Sequence, residues 1–167
     1  KLVAERYVSS KDKDMLIDII GRVDYESNTK IGEAKTKPPT IKKKRGKDEY
    51  YMASTQLPND PDPMHISQVS FYYHCTNRKP FLFYVNENEY RIFDDTHDML
   101  RSDYLEHQYN LLTQRLKSWE QLIIFCKGDI QKLSSFAEPP ELNHPFYYRD
   151  LIDDQKKQIK QLWGLDA

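Results

Sequence analysis

Glycine is scarce in this chain, five in 167 residues. So few glycines leave no Walker loop, no dinucleotide fingerprint and no nucleophile elbow, each of which needs glycine where the backbone turns sharply or approaches a phosphate. No cofactor is expected. Cysteine is scarcer still: Cys75 and Cys126 stand far apart and match no paired metal or redox spacing, which fits a reducing compartment. The five histidines, His65, His74, His97, His107 and His144, include no His-Glu-x-x-His pair, and no structural metal is expected. No apolar run approaches the ~20 residues that a membrane helix requires, and the first six residues lack the apolar block of a signal peptide. The expectation is a soluble intracellular protein with no membrane partner. The chain does not begin with Met, and it is expected to be an excised domain of a larger protein.

Aromatic residues are plentiful by contrast, 13% with twelve Tyr, and hydrophobic residues make up 38%, a supply that disordered chains do not have. The length suits a single domain over residues 1–167 with a substantial core. Net charge is −1, so there is no global attraction to a polyanion. The distribution is uneven. Lys35, Lys37, Lys42, Lys43, Lys44, Arg45 and Lys47 place seven positive charges within thirteen residues and no acidic one among them, which leaves the rest of the chain at −8. Any footprint for nucleic acid must be centred on residues 35–47. That run has three readings: a solvated loop, a nuclear-localisation signal at Lys42-Lys43-Lys44-Arg45, or a phosphate-contacting loop.

The stretch MLIDIIGRVDY, residues 15–25, has both a helical reading, with Ser10 as cap, and a strand reading in which Met15, Ile17, Ile19, Gly21, Val23 and Tyr25 alternate with their neighbours. The longer alternation and the β-branched content favour a strand, with Gly21 at a bulge or bend. Residues 27–47 read as a long excursion between strands, DEYYMASTQL as a second strand, and PNDPDP as its breaker. ISQVSFYYHC, PFLFYVN and EYRIF then read as a meander, with turns at residues 76–79 and 86–88.

From Asp94 the period changes. Leu105, Tyr109, Leu112, Leu116, Trp119, Ile123 and Cys126 recur at four- and three-residue intervals, the seam of one long helix near 97–127 that stops at Gly128. It would pack on the sheet, or mediate a coiled-coil homodimer. IQKLSSF adds a short helix, and a last helix is expected from Pro145 to Trp163.

Little in this pattern carries covalent chemistry. His74 and Cys75, as neighbours on a strand, would point to opposite faces and could not pair as base and nucleophile. Asp24 followed by Glu33-Ala34-Lys35 mimics the Asp then Glu-x-Lys of metal-dependent nucleases, where two carboxylates hold Mg²⁺ and a lysine orients the attacking water. In a chain with 31% charged residues such a match arises readily by chance, and no helix follows it directly, so it ranks third. Tyr72, His74 and Tyr84 alternate with Phe71, Tyr73, Phe83 and Val85, which reads either as burial on both sides beneath the helices or as one outward face whose exposed rings would stack unpaired bases.

Residues 16–31, LIDIIGRVDYESNTKI, resemble the first strand and turn of OB-fold domains of the replication protein A family, in which an Asp-Ile-Ile-Gly strand bends at its glycine. Residues 43–61, KKRGKDEYYMASTQLPNDP, look like the second strand of telomere end-binding OB domains. The resemblance implies a five-stranded barrel that binds single-stranded DNA across its second and third strands.

The expected fold is therefore α+β: a curved, mainly antiparallel sheet or OB-like small barrel from residues 1–95, packed against the long helix and the C-terminal helix, with residues 96–167 mainly helical. The first functional expectation is a nuclear module that binds single-stranded nucleic acid in a genome-maintenance complex. Lys42, Lys43, Lys44 and Arg45 would contact phosphates, Arg78 and Lys79 would extend that patch, and Tyr72, His74 and Tyr84 would stack; no catalytic residue and no metal are assigned. The alternative is a protein-interaction domain that binds a partner or a second copy through Leu105, Tyr109, Leu112, Leu116 and Trp119.

Overall fold

The computed structural model describes residues 3–137 and 151–164. The chain divides into two compact units, residues 1–115 and 116–167.

The first unit holds seven strands: β1 (Val3–Ser10), β2 (Ile19–Glu26), β3 (Lys30–Thr36), β4 (Thr40–Lys43), β5 (Tyr50–Ala53), β6 (Lys79–Val85) and β7 (Tyr90–Asp94). Five of them form one sheet in the order β1-β2-β3-β6-β7, and β4 and β5 pair only with each other. Every pairing in the large sheet is antiparallel except β3 with β6, which run parallel in the register Lys30↔Lys79 to Thr36↔Val85. A parallel pair needs a crossover, and the one here includes a helix, as such connections usually do. Among the described residues β1 bonds only to β2 and β7 only to β6, so the sheet is open and does not close into a barrel.

The fold is thus mixed α and β, with one five-stranded sheet, the separate β4–β5 pair and four α-helices among the described residues. α1 (Pro63–Thr76) lies across the sheet, facing β1, β2, β3 and β6. Two clusters form beneath it. Leu57, Ile66, Val69, Leu82, Tyr84, Leu100 and Leu105 make one, and Val8, Val23, Ile31, Phe71, Tyr72 and Tyr109 make the other. Leu105 and Tyr109 come from α2 (Ser102–Phe125), and Leu112 packs half-buried against the second cluster.

Several sequence expectations change here. ISQVSFYYHC is a helix, not a strand. Asp62 caps it by accepting the Met64 N–H at 2.9 Å, Pro63 takes the first turn where its missing donor costs nothing, and Asn77 closes it in the left-handed region at φ 51°. Its buried set, Ile66, Val69, Ser70, Phe71 and Tyr72, wraps so much of the helix that no clean 3.6-residue stripe survives in the sequence. The supposed long excursion of residues 27–47 contains β3 and β4. In the opening stretch the strand begins only at Ile19, with Leu16 and Ile17 exposed before it, and β1 precedes it. Gly21 is no bulge, because the β1–β2 register runs unbroken through Val8↔Gly21. It answers a close approach: a Cβ there would meet the Phe71 ring at 2.7 Å.

In the second unit, Lys127 and Gly128 end α2 with positive φ. α3 (Ile130–Phe136) follows, capped by Asp129. The expected helix start at Pro145 lies outside the described residues; α4 runs Asp153–Leu162. The helical seam is unevenly buried, since Cys126 is covered while Trp119 and Ile123 are exposed.

Candidate active site

Tyr25 pairs with Gly32 and Glu26 with Ile31 across β2 and β3, and continuing that register would set Asp24 opposite Glu33. The backbone ladder stops there. Asp24 instead turns its own Oδ2 onto the Ala34 N–H at 2.9 Å, replacing a strand carbonyl with a carboxylate. Its Oδ1 accepts no hydrogen bond from the described residues.

Along β3, Ile31, Glu33 and Lys35 share one face, as the two-residue period of a strand requires. That face lies under α1, so Glu33 is buried at 4% exposure. Lys35 Nζ reaches Glu33 Oε1 at 2.5 Å and donates to Gln68 Oε1 at 3.0 Å. Gln68 Nε2 donates in turn to Glu33 Oε1 at 2.9 Å and to the Tyr72 hydroxyl at 2.6 Å. The Tyr72 hydroxyl donates in turn to the Arg22 carbonyl at 2.7 Å. His65, Gln68 and Tyr72 stand three and four residues apart on α1, which puts them on one helical face.

This network leaves one atom unserved. Both donors to Glu33 converge on Oε1, while Oε2 is buried with no partner. An unsatisfied buried acceptor costs roughly 1–3 kcal/mol, and native proteins seldom retain one without a use. Burial pushes the Glu33 carboxyl above its ordinary value; Lys35 pulls it back, and the nearby Asp24 adds to the rise. Burial also lowers the His65 pKa, helped by Lys35. The His65 Nδ1 lies 2.7 Å from the Tyr84 hydroxyl.

The residues fit a hard divalent cation. Among the described residues no three of His, Cys, Asp and Glu gather into a cluster. Magnesium does not need three, since it keeps several waters and is held by one or two carboxylates plus substrate phosphate. Asp24 Oδ1 and Glu33 Oε2 are the two oxygens that would hold such an ion.

Other sequence-assigned residues sit elsewhere. Tyr72 and Tyr84 are at 1% and 0% exposure, so neither offers a ring to a base, and they belong to a helix and a strand rather than one sheet face. Both hydroxyls are pushed up by burial. His74 stacks on Tyr109 with ring centroids 3.7 Å apart and lies 3.6 Å from Glu106. Arg78 pairs with Glu26, which also takes Arg6 at 2.6 Å, and Lys79 pairs with Asp95 at 2.8 Å. Lys42, Lys43, Lys44 and Arg45 occupy the end of β4 and the turn to β5. Gln68 and His65 went unassigned in the sequence; Asp62-Pro63 ahead of them was the available signal that a helix begins there.

No family model matches the chain, and no curated protein matches it. Among solved structures, the chain is similar to one described as the crystal structure of SSO0001, at 17% identity over 56% of this chain, with a TM-score of 0.38. The match spans 40% of that protein's length, and a likeness at this level carries no argument about function.

Proposed function

We propose that this chain carries a divalent-metal-dependent phosphodiesterase site that hydrolyses nucleic acid, with Asp24 and Glu33 as metal ligands and Lys35 beside the reacting water. The observation that carries the reading is the buried, partnerless Glu33 Oε2 next to Asp24, with Lys35 fixed at 2.5 Å on the other oxygen. The ion, when bound, stabilises charge on the scissile phosphate and favours hydroxide over water. Lys35 orients the water. Hydrolysis joins the water oxygen to phosphorus, breaks the bond from phosphorus to one sugar oxygen, and leaves that oxygen with the proton the water gives up. Gln68 is a positioning residue, because it touches both Glu33 and Lys35 and holds the two in fixed relation.

Nucleic acid remains the proposed ligand, as the basic run suggests; the OB-like barrel, the nuclear address and a telomeric setting form no part of the proposal. The test is cleavage of labelled oligonucleotides with Mg²⁺ or Mn²⁺ against EDTA. Wild type should cleave only with the cation, and Asp24→Asn, Glu33→Gln and Lys35→Ala should each lose at least a hundredfold. Cleavage unaffected by Glu33→Gln would refute the assignment.

One observation favours an additional, protein-binding role in the second unit: Trp119, Ile123, Ile124 and Phe125 are 50%, 44%, 54% and 60% exposed. Light scattering on Trp119→Ser/Ile123→Ser against wild type checks it, with a fall in mass expected for a self-associating chain.

A further inference from the structure

The β4–β5 hairpin has no place in the core. Its two strands pair in the register Thr40↔Ala53, Ile41↔Met52, Lys42↔Tyr51 and Lys43↔Tyr50, and neither bonds to the large sheet. An isolated two-stranded hairpin is marginal in water. Even so, Ile41, Tyr50, Tyr51 and Met52 stand exposed on it, at 73%, 64%, 46% and 69%. Successive strand residues point to opposite faces, so Tyr50 lies with Ile41, Lys43 and Met52 on one side, and Tyr51 lies with Lys42 on the other.

The root is secured where the tip is not. The Lys37 N–H donates to the Val85 carbonyl at 2.8 Å, Thr55 Oγ1 donates to the Pro38 carbonyl at 2.7 Å, and Asn86 Nδ2 donates to the Thr55 carbonyl at 2.9 Å. Pro38 and Pro39 stiffen the departing chain. Lys35, the proposed water-orienting residue, and Lys42, on the arm, are separated by seven residues, a span of at most ~25 Å. Charge at the tip is partly internal: Lys43 pairs with Asp48 at 2.7 Å and Lys44 with Glu49 at 2.8 Å. Lys42, Arg45 and Lys47 make no ion pair among the described residues. Lys43 Nζ lies 5.8 Å from the Tyr50 ring centroid.

We infer that this hairpin is an arm for single-stranded nucleic acid, on which unpaired bases stack against Tyr50 and Tyr51 while Lys42, Arg45 and Lys47 contact phosphates. The inference rests on the phosphodiesterase reading and deepens it by naming the substrate class. Single strands fit where duplex does not, because a paired base hides its faces and only an unpaired one covers an exposed aromatic ring. Positive charge on an otherwise acidic chain supplies the complementarity.

The experiment is fluorescence anisotropy of the full chain in EDTA, with a labelled single-stranded DNA 15-mer, the same sequence as RNA, and the DNA duplex. Wild type should bind a single strand more tightly than duplex. Tyr50→Ala and Tyr51→Ala should each weaken single-strand binding about tenfold and leave duplex binding unchanged. Tyr50→Trp should retain it, which guards against a folding defect. Lys42→Ala/Arg45→Ala/Lys47→Ala should lower the slope of log affinity against log salt by about 2 for single strands. Preference for DNA or RNA identifies the source of the strand, and either supports the arm. Equal affinity for duplex, indifference to both tyrosine changes, or no binding at all overturns it. Because EDTA excludes metal-dependent cleavage, tyrosine-dependent binding by a chain that never cleaves would keep the arm and reject the phosphodiesterase.

Discussion

Asp24 takes the Ala34 N–H on its Oδ2 at 2.9 Å, so the residue between the second carboxylate and the lysine is held in place by the first carboxylate. Spacing alone places Glu33 and Lys35 on one face of a strand. It is the side chain of Asp24, inserted where the β2–β3 ladder ends, that ties the pair to a second strand.

The pH dependence of stability should expose Glu33. Burial holds its pKa above the ordinary 4.5. An acid whose folded-state pKa is raised stabilises the fold while protonated, so this contribution is complete below pH 4.5 and is lost as pH climbs through the raised value. Melting curves from pH 4 to neutrality should therefore fall for wild type relative to Glu33→Gln. Parallel curves would mean the carboxyl is not strained by burial.

Divalent cations should reverse that loss. Ligand at a hundredfold over its Kd adds about 2.7 kcal/mol of stability, and for a chain of this size about 5–10 °C in melting temperature. The shift with Mg²⁺ or Mn²⁺ should appear in wild type and vanish in Glu33→Gln and Asp24→Asn, measured by calorimetry without substrate.

Gly32 should resist even alanine. A Cβ there would run into the Phe81 ring, its partner across the parallel β3–β6 pair. Overpacking of this kind costs roughly 1–3 kcal/mol. Gly32→Ala should unfold earlier in urea, and adding Phe81→Leu should recover part of the difference.

Arg78 should behave as a structural residue. It meets Glu26, which is buried at 3% exposure and shares Arg6. Arg78→Ala should lower the urea midpoint by roughly 1–3 kcal/mol equivalent, the scale for leaving a buried group poorly partnered. The salt slope of oligonucleotide binding should stay where it was. A changed slope with unchanged stability would restore Arg78 to the nucleic-acid patch.

Much of the outer frame was readable from residue patterns: PFLFYVN and EYRIF are adjacent strands, and the four-three repeat from Leu105 marks one helix. The middle was not. Val69, Phe71 and Tyr73 alternate with polar or aromatic neighbours, and helix α1 is covered on enough sides that its own period is erased. Without a helical stripe in α1, the support above Glu33-Ala34-Lys35 is invisible in the sequence, where the pattern resembles chance charges in a loop. A buried glutamate and a half-buried lysine cannot be told from solvated ones until the element above them is known. Tyr72 and Tyr84 erred in the opposite direction, since rings that could stack on bases are equally suited to a core, and these two fill it.

Parallel pairing of β3 with β6 obliges the chain to leave the sheet beside Lys35 and return through α1, with the β4–β5 arm interposed on the way out. Extra length in such an excursion is inexpensive, about 0.6 kcal/mol for each doubling of a flexible loop. The hairpin can therefore lengthen, shorten or change its face without disturbing the register that aligns the two carboxylates. In this architecture the arm and the Glu33–Lys35 pair are separable, so one can change length or surface while the other keeps its place in the sheet.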